Sequence, residues 1–277
     1  MHSSTSGTSE PGGEARSSFL PGRRPRVIAH RGLALDGAEN TLRAFRDALT
    51  AGAHMLETDT QVSADGIAMT VHDEHLTRLT GDAIQVSALP AADLGRRLVA
   101  GVEPICTLEE MLDAFPAAAV NIDVKTPDAA EPTARAIART GAAHRVCLTS
   151  FTGSIARAAV RHLERATGVT PVRSPSRGTI AGFLALSAAA APGAVITRVL
   201  APYGALQVPP QYRGLPVITP RTIAVAHRAG CEVHAWTIDD PEQMRHLLAQ
   251  GVDGIVTNRA DVLSGIVGGH GRAAAGE

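Results

Sequence analysis

Residues 120–150, VNIDVKTPDAAEPTARAIARTGAAHRVCLTS, decide the fold. Val120 to Val124 reads as a strand that ends at Lys125, rich in β-branched residues. A helix follows from Ala129 to about Thr140, and Val146 to Thr149 makes the next strand, ending at Ser150-Phe151. Strand, helix and strand in so short a stretch are the unit from which parallel sheets are built.

The unit repeats in both directions. Downstream, a helix from Ser154 to about Ala166 precedes a short strand, Val169 to Val172, and then a helix around Ile180 to Ala190. Ala194 to Leu200 is expected as a strand, and Leu215 to Ile218 leads through Pro220 into a helix ending near Gly230. Glu232 to Thr237, a helix from Pro241 to Gln250, Gly254 to Thr257 and Ala260 to Ile266 complete the series. Upstream, Val27-Ile28-Ala29 opens the ordered chain, a helix carries Leu42, Phe45 and Leu49, and His54 to Thr58 makes another strand. Ile67 to Val71 is a further extended run after the Asp65-Gly66 turn.

Main strands near Val27, Leu56, Val120, Val146, Val169, Val195, Val233 and Gly254 predict a (β/α)8 TIM barrel, a fold of about 250 residues. A doubly wound sheet shares the alternation, but no Gly-x-Gly-x-x-Gly follows the first strand. The stretch from Glu74 to Glu103 breaks the alternation and reads as a small insertion after the second main strand. The expected organisation is a disordered tail over 1–24, a barrel over 25–267 with its insertion at about 74–103, and a disordered tail over 268–277.

Composition narrows the function. The 277 residues carry 26 Lys and Arg against 27 Asp and Glu, which argues against a broad nucleic-acid surface. Hydrophobic residues make up 44% but aromatics only 3%, so aliphatic side chains must fill the core. Cys106, Cys147 and Cys231 are odd in number and widely spaced, and read as reduced, buried thiols. No signal-peptide core or membrane-spanning run is present, so a cytoplasmic protein is expected.

Polar residues collect at the ends of the expected strands: His30-Arg31, Glu57 and Asp59, Asp123 and Lys125, Ser150, and Thr257-Asn258. In a barrel these ends share one face, where active sites form. Glu57 and Asp59 are two apart and point the same way along a strand, and Asp123 and Lys125 repeat the pattern. Spacing serves two readings equally. Glu57, Asp59 and Asp123 form an oxygen-rich site for Mg²⁺ or Ca²⁺, or they join Lys125 in an ion-pair network. His30 and His72 suit a general base and a general acid, although each alone also fits an ordinary hydrogen-bonded histidine; Asp73 stands ready to orient His72. Arg31 suits either a phosphate clamp or a salt bridge to Glu39, and Trp236 either a substrate wall or core packing.

Taken in order, His30-Arg31-Gly32, Glu39-Asn40-Thr41, Glu57-x-Asp59, Asp65-Gly66, His72-Asp73, Asn121-Ile122-Asp123-Val124-Lys125, Ser150-Phe151, Trp236-Thr237 and Gly251-Val252-Asp253-Gly254-Ile255-Val256-Thr257-Asn258 resemble the glycerophosphodiester phosphodiesterase family from about Val27 to Leu263. The resemblance implies a TIM barrel that hydrolyses glycerophosphodiesters to glycerol 3-phosphate and an alcohol with a divalent cation, Mg²⁺ or Ca²⁺. It implies Glu57, Asp59 and Asp123 as metal ligands, His30 and His72 as the acid/base pair, Arg31 and Lys125 on the phosphate, and Glu39 near the metal and the glycerol end. It further implies attack by the substrate's own 2-hydroxyl through a cyclic phosphate. Three positions depart from the family pattern: Asp123 stands where Glu is frequent, His54 replaces an acidic residue, and Asp239 follows Trp236-Thr237-Ile238 where Asn is more usual. Rival expectations are a lysophospholipid or other phosphodiester substrate, weakened by the sparse aromatics, and a noncatalytic phosphate-binding barrel, weakened by the histidine pair.

Overall fold

The computed structural model describes residue 20 and residues 24–273; the expected tails lie outside the described residues at 1–19, 21–23 and 274–277, whereas residues 268–273, expected as tail, continue the last helix, Ala260–Ala273. Eight parallel strands form the barrel: β1 (Arg26–His30), β2 (Met55–Val62), β3 (Ala119–Val124), β4 (Val146–Thr149), β5 (Val172–Arg173), β6 (Ala205–Val208), β7 (Glu232–Ala235) and β8 (Gly254–Thr257). Their spatial order is β5-β4-β3-β2-β1-β8-β7-β6, with the last strand paired to the first. The seam lies between β5 and β6, where the Gly204 N–H donates to the Arg173 carbonyl at 3.1 Å. The (β/α)8 barrel is therefore the fold, and the doubly wound alternative falls.

The outer ring consists of α1 (Leu42–Thr50), α2 (Leu108–Ala114), α3 (Ala130–Arg139), α4 (Gly153–Thr167), α5 (Arg177–Ala188), α6 (Gly193–Leu200), α7 (Pro220–Arg228), α8 (Pro241–Ala249) and α9 (Ala260–Ala273). Local chemistry sets several starts. The Thr41, Thr107 and Thr219 hydroxyls cap α1, α2 and α7, and the Asp240 carboxylate caps α8. Among the described residues no helix is long and apolar enough to cross a membrane.

Two strands differ from expectation. Ala194 to Leu200, expected as the sixth strand, lies in α6, because Ile196 and Leu200 sit one helical turn apart on its buried side. The sixth strand is Ala205–Val208, whose apolar run is interrupted by Gln207. The fifth is only Val172–Arg173, at the end of the expected Val169 to Val172 run.

Strand alternation divides the core into two. Val27, Ala29, Leu56, Val120, Ile122, Val124 and Leu148 face the helices in the main cluster. Ile28, Met55, Ala119, Cys147, Val172 and Val256 form a second cluster in the barrel interior. Register then stacks the inward residues, since Ile28 pairs with Met55 and Met55 with Ala119. One step up, His30 pairs with Glu57 and Glu57 with Asn121; one step further, Asp59 pairs with Asp123. An apolar plug thus supports a polar upper layer. Between β2 and α2, short elements at Thr77–Thr80, Ala91–Leu94 and Leu98–Val99 pack on their own small core of Leu76, Leu79, Val86, Leu94, Val99 and Ile105, beneath Met69 and Val71.

The opposite end is closed by charge. Arg26, 3% exposed, donates through Nε and Nη2 to Glu232 at 2.7 and 2.8 Å, and His234 Nε2 lies 2.9 Å from the same carboxylate. Gly254 lies between them because a Cβ there would stand 3.0 Å from His234 and 3.2 Å from Arg26. Burial opposes the Glu232 charge, yet the Arg26 and His234 hydrogen bonds prevail and lower its pKa to about 2. A depressed carboxyl pKa stabilises the fold above the ordinary glutamate range and loses that effect as pH falls toward 2. Glu232→Gln should cost about 3 kcal/mol in urea unfolding at pH 7, with a smaller difference from the parent in acid.

Candidate active site

The C-terminal ends of the strands open onto a cavity of about 600 Å³. His30, Arg31, Glu57, Asp59, His72, Asp123, Lys125 and Trp236 all line it. Glu39, the remaining expected site residue, lies just behind, its Oε1 accepting from Arg31 Nη1 at 2.9 Å. Ser150 is on the wall as well.

The turn after β1 brings Arg31 inward. Arg31 has φ +56°, and its N–H donates to both the Glu57 carbonyl and Glu57 Oε2 at 3.0 Å. Gly32 follows at φ +84°, where a Cβ would come within 2.6 Å of the Ala44 backbone, so His30-Arg31-Gly32 needs its glycine to clear α1. Asn40 Nδ2 donates to Asp59 Oδ2 at 3.1 Å while its Oδ1 accepts from Thr58 at 2.8 Å, tying the next turn to β2.

The carboxylates are compensated by cations of the chain itself. Lys125 Nζ bridges Asp59 Oδ1 at 2.7 Å and Asp123 Oδ2 at 2.5 Å, and Arg31 Nε pairs with Asp59 Oδ2 at 2.9 Å. Burial pushes all three carboxyl pKa values up. For Asp59, Lys125 and Arg31 overcome burial and the net shift is downward. For Asp123, burial and the neighbouring Asp59 prevail over Lys125, and its pKa is raised. Glu57 is raised well above the usual range, first by burial and then by Asp59.

This arrangement corrects the expected Mg²⁺ or Ca²⁺ site. Among the described residues no group of three or more His, Cys, Asp or Glu side chains could hold a metal ion. Glu57, Asp59 and Asp123 share the cavity wall, but Lys125 and Arg31 stand between them, and both Asp59 oxygens are committed to cations. Of the two readings of these carboxylates, the ion-pair network is the one the structure holds; the donor set does not fit a divalent cation.

The two imidazoles have different partners. His30 Nδ1 lies 2.8 Å from Asn258 Oδ1. Asn258 is oriented by Asp239, which accepts from Asn258 Nδ2 at 2.7 Å, from its N–H at 2.8 Å and from Thr257 Oγ1 at 2.9 Å. The amide oxygen therefore faces the ring and Nδ1 carries the hydrogen, leaving a lone pair on Nε2, 4.0 Å from Glu57 Oε2. Burial, then the positive Arg31, lowers the His30 pKa. His72 Nδ1 lies 2.6 Å from Asp73 Oδ1, whose second oxygen accepts from Arg78 Nε at 2.7 Å.

The roles of Asn258, Asp239 and Arg78 escaped the sequence reading. In the sequence Asn258 stands as a polar strand end and as the close of a family-like motif, and Asp239 only as a departure from pattern. Nothing local in the sequence pairs either with His30.

Apolar side chains also line the cavity. Phe151 and Trp236 meet edge to face at 5.6 Å, with the Arg177 guanidinium 4.4 Å from the Phe151 centroid. Ile180 and Leu184 of α5, with Tyr212 and Val217, continue the wall. Sparse aromatics did not preclude an apolar surface, because aliphatic residues supply much of it.

The sequence profile described as the glycerophosphoryl diester phosphodiesterase family matches residues 30–262. A Mycobacterium tuberculosis protein named "Probable glycerophosphodiester phosphodiesterase 2" is 36% identical over 244 residues, covering 87% of this chain and 90% of the relative. A glycerophosphodiester phosphodiesterase of Caldanaerobacter subterraneus subsp. tengcongensis is 27% identical over 256 residues, covering 87% and 97% of the two chains. The crystal structure of a glycerophosphodiester phosphodiesterase from Thermotoga maritima aligns with a TM-score of 0.67 at 23% identity, over 88% of this chain and 100% of that one, a likeness of fold.

The Lys125 bridge has a measurable consequence. Lys125→Met leaves Asp59 and Asp123 adjacent in register without their shared cation, and should lower stability at pH 7 by about 3 kcal/mol in urea unfolding. The loss should shrink as pH falls and the carboxyls protonate.

Proposed function

The chain is an enzyme of the glycerophosphoryl diester phosphodiesterase family, and from that membership we propose that residues 25–267, with their insertion at about 74–103, hydrolyse a small glycerophosphodiester to glycerol 3-phosphate and an alcohol. One observation carries the reading: two imidazoles with separate partners line the same cavity as Arg31 and Lys125.

In this reading the phosphodiester anion enters between Arg31 and Lys125. Each cation is held by carboxylates and is pre-aligned, so little reorganisation is needed as negative charge builds on the nonbridging oxygens. His30, neutral because burial and Arg31 disfavour its charged form, accepts through Nε2 the proton of the attacking hydroxyl. The attacking group is water or the substrate's own glycerol 2-hydroxyl. The latter is helped by proximity and gives a cyclic phosphate that water then opens. His72, with Asp73 on Nδ1, donates a proton to the departing alkoxide. Glu39 holds Arg31, and Trp236 closes the cavity beside Phe151. A cytoplasmic setting belongs to the same reading, supported by the buried thiols of Cys106, Cys147 and Cys231, which suit a reducing compartment.

One observation favours a second reading of the substrate. The apolar wall of Ile180, Leu184, Tyr212 and Val217 exceeds the needs of a compact polar head group and suits a phosphodiester that carries hydrocarbon.

The primary test is release of glycerol 3-phosphate from glycerophosphocholine in a coupled assay. His30→Ala and His72→Ala should each lower kcat by a factor on the order of a hundred or more; parent-level turnover in both variants refutes the assignment. Because His30 works as a neutral base with a lowered pKa, the acid limb of kcat/KM should have its midpoint below the ordinary histidine value of about 6.5. A limb above that value removes His30 from the role. For the second reading, kcat/KM across esters of increasing alkyl length should rise, by at most about 0.8 kcal/mol for each buried methylene, and Leu184→Gln should flatten the rise. Equal rates at all lengths leave the compact substrate alone.

A further inference from the structure

The segment inserted between β2 and α2 delivers a group that the reaction scheme leaves unused. Arg78 lies in the short helix Thr77–Thr80, its side chain 49% exposed. Its Nη2 and Nη1 donate to Glu39 Oε1 and Oε2 at 2.7 and 3.1 Å, and its Nε donates to Asp73 Oδ2 at 2.7 Å. Each of these carboxylates touches a residue at the centre of the cavity. Asp73 Oδ1 lies 2.6 Å from His72 Nδ1, and Glu39 Oε1 accepts from Arg31 Nη1 at 2.9 Å. Arg31 in turn pairs with Asp59 at 2.9 Å. A single guanidinium therefore joins the imidazole on one side of the site to the phosphate-facing arginine on the other.

We propose that Arg78 is a positioning residue: it clamps Asp73 and Glu39 together and so sets the His72 ring and the Arg31 guanidinium in fixed relation. The proposal rests on the hydrolase reading of the same site. The guanidinium suits the task because its donors lie in one rigid plane, matching two oxygens of Glu39 while Nε remains for Asp73. An ammonium is a point charge and cannot hold both carboxylates in that geometry. Arg78 is itself held from behind. Its neighbours Leu76 and Leu79 are buried in the core of the inserted segment, and the Ala100 N–H donates to the Leu79 carbonyl at 2.8 Å. In this account the insertion is a mount for one side chain, brought over the rim of the barrel.

A merely structural salt bridge at such an exposed position would contribute little to stability and nothing selective to turnover. Two readouts separate the cases. The first is the nitrogen-bound ring proton of His72, followed by NMR with Asp73→Asn as the reference for its loss. In Arg78→Ala this signal should broaden or disappear while the His30 ring, held by Asn258, stays as in the parent. The second is turnover of glycerophosphocholine. Arg78→Ala should lower kcat by a factor on the order of ten to a hundred with little change in KM and in the melting temperature. Arg78→Lys should recover only a minor part, and adding Asp73→Asn to Arg78→Ala should cost little more. An unchanged His72 signal in Arg78→Ala, or a kcat within about twofold of an active parent, overturns the proposal. A parent that does not hydrolyse glycerophosphocholine refutes the small-glycerophosphodiester reading instead, and the NMR arm still decides whether Arg78 positions His72.

Discussion

Asp59 is the pivot of the molecule. Only 1% exposed, it points into the top of the barrel two inward layers above the apolar plug and directly beside Asp123 in register. An anion so buried is tolerated only with close, well-aligned partners. Lys125 takes one oxygen, and Arg31 and Asn40 take the other. Those partners come from the end of β3 and from the two turns that follow β1. Satisfying one carboxylate thus fixes how three parts of the chain meet, and leaves both cations on the wall of the cavity.

The barrel makes this possible through its period of two. Ile28, Met55 and Ala119 are inward and apolar; the next inward residues are His30, Glu57 and Asn121; the next are Asp59 and Asp123. Stability and chemistry are thereby stacked along the same strands. The lower layer is dry and fills space, and the ion pair of Arg26 with Glu232 closes the barrel beneath it. The upper layer accumulates charge that only a rigid floor could hold in place.

Much of this was legible in the sequence because strands announce themselves locally. The run Val120 to Val124 identifies β3, and with it the inward direction of Asp123. The sixth strand was not legible. Gln207 faces inward to donate to Asn121 at 3.1 Å, so the apolar run that marks a buried strand is broken, while the more apolar Gly193–Leu200 is helical. At the site, the spacing of Glu57, Asp59 and Asp123 correctly implied concentrated negative charge in need of compensation. It left a metal ion and a network with Lys125 equally open and did not bring Arg31 to Asp59, because how far those side chains reach depends on register and on the backbone turn at Arg31. Asn258 lies 228 residues from His30, and Arg78 lies in the segment that breaks the strand-helix alternation. Contacts of that kind exist only after folding.

The two histidines show why those distant partners matter. As isolated side chains they are chemically identical, yet acid/base catalysis needs one to be ready to accept a proton and the other to be ready to give one. The difference is written in what stands behind each ring. Behind His30 is a neutral amide whose oxygen is turned toward Nδ1 by Asp239, while burial and Arg31 keep the ring uncharged. Behind His72 is the Asp73 carboxylate, an anion able to share the charge of a protonated ring, held in turn by Arg78. In the proposed mechanism the direction of proton flow therefore rests on Asn258 and Asp73 as much as on the imidazoles themselves.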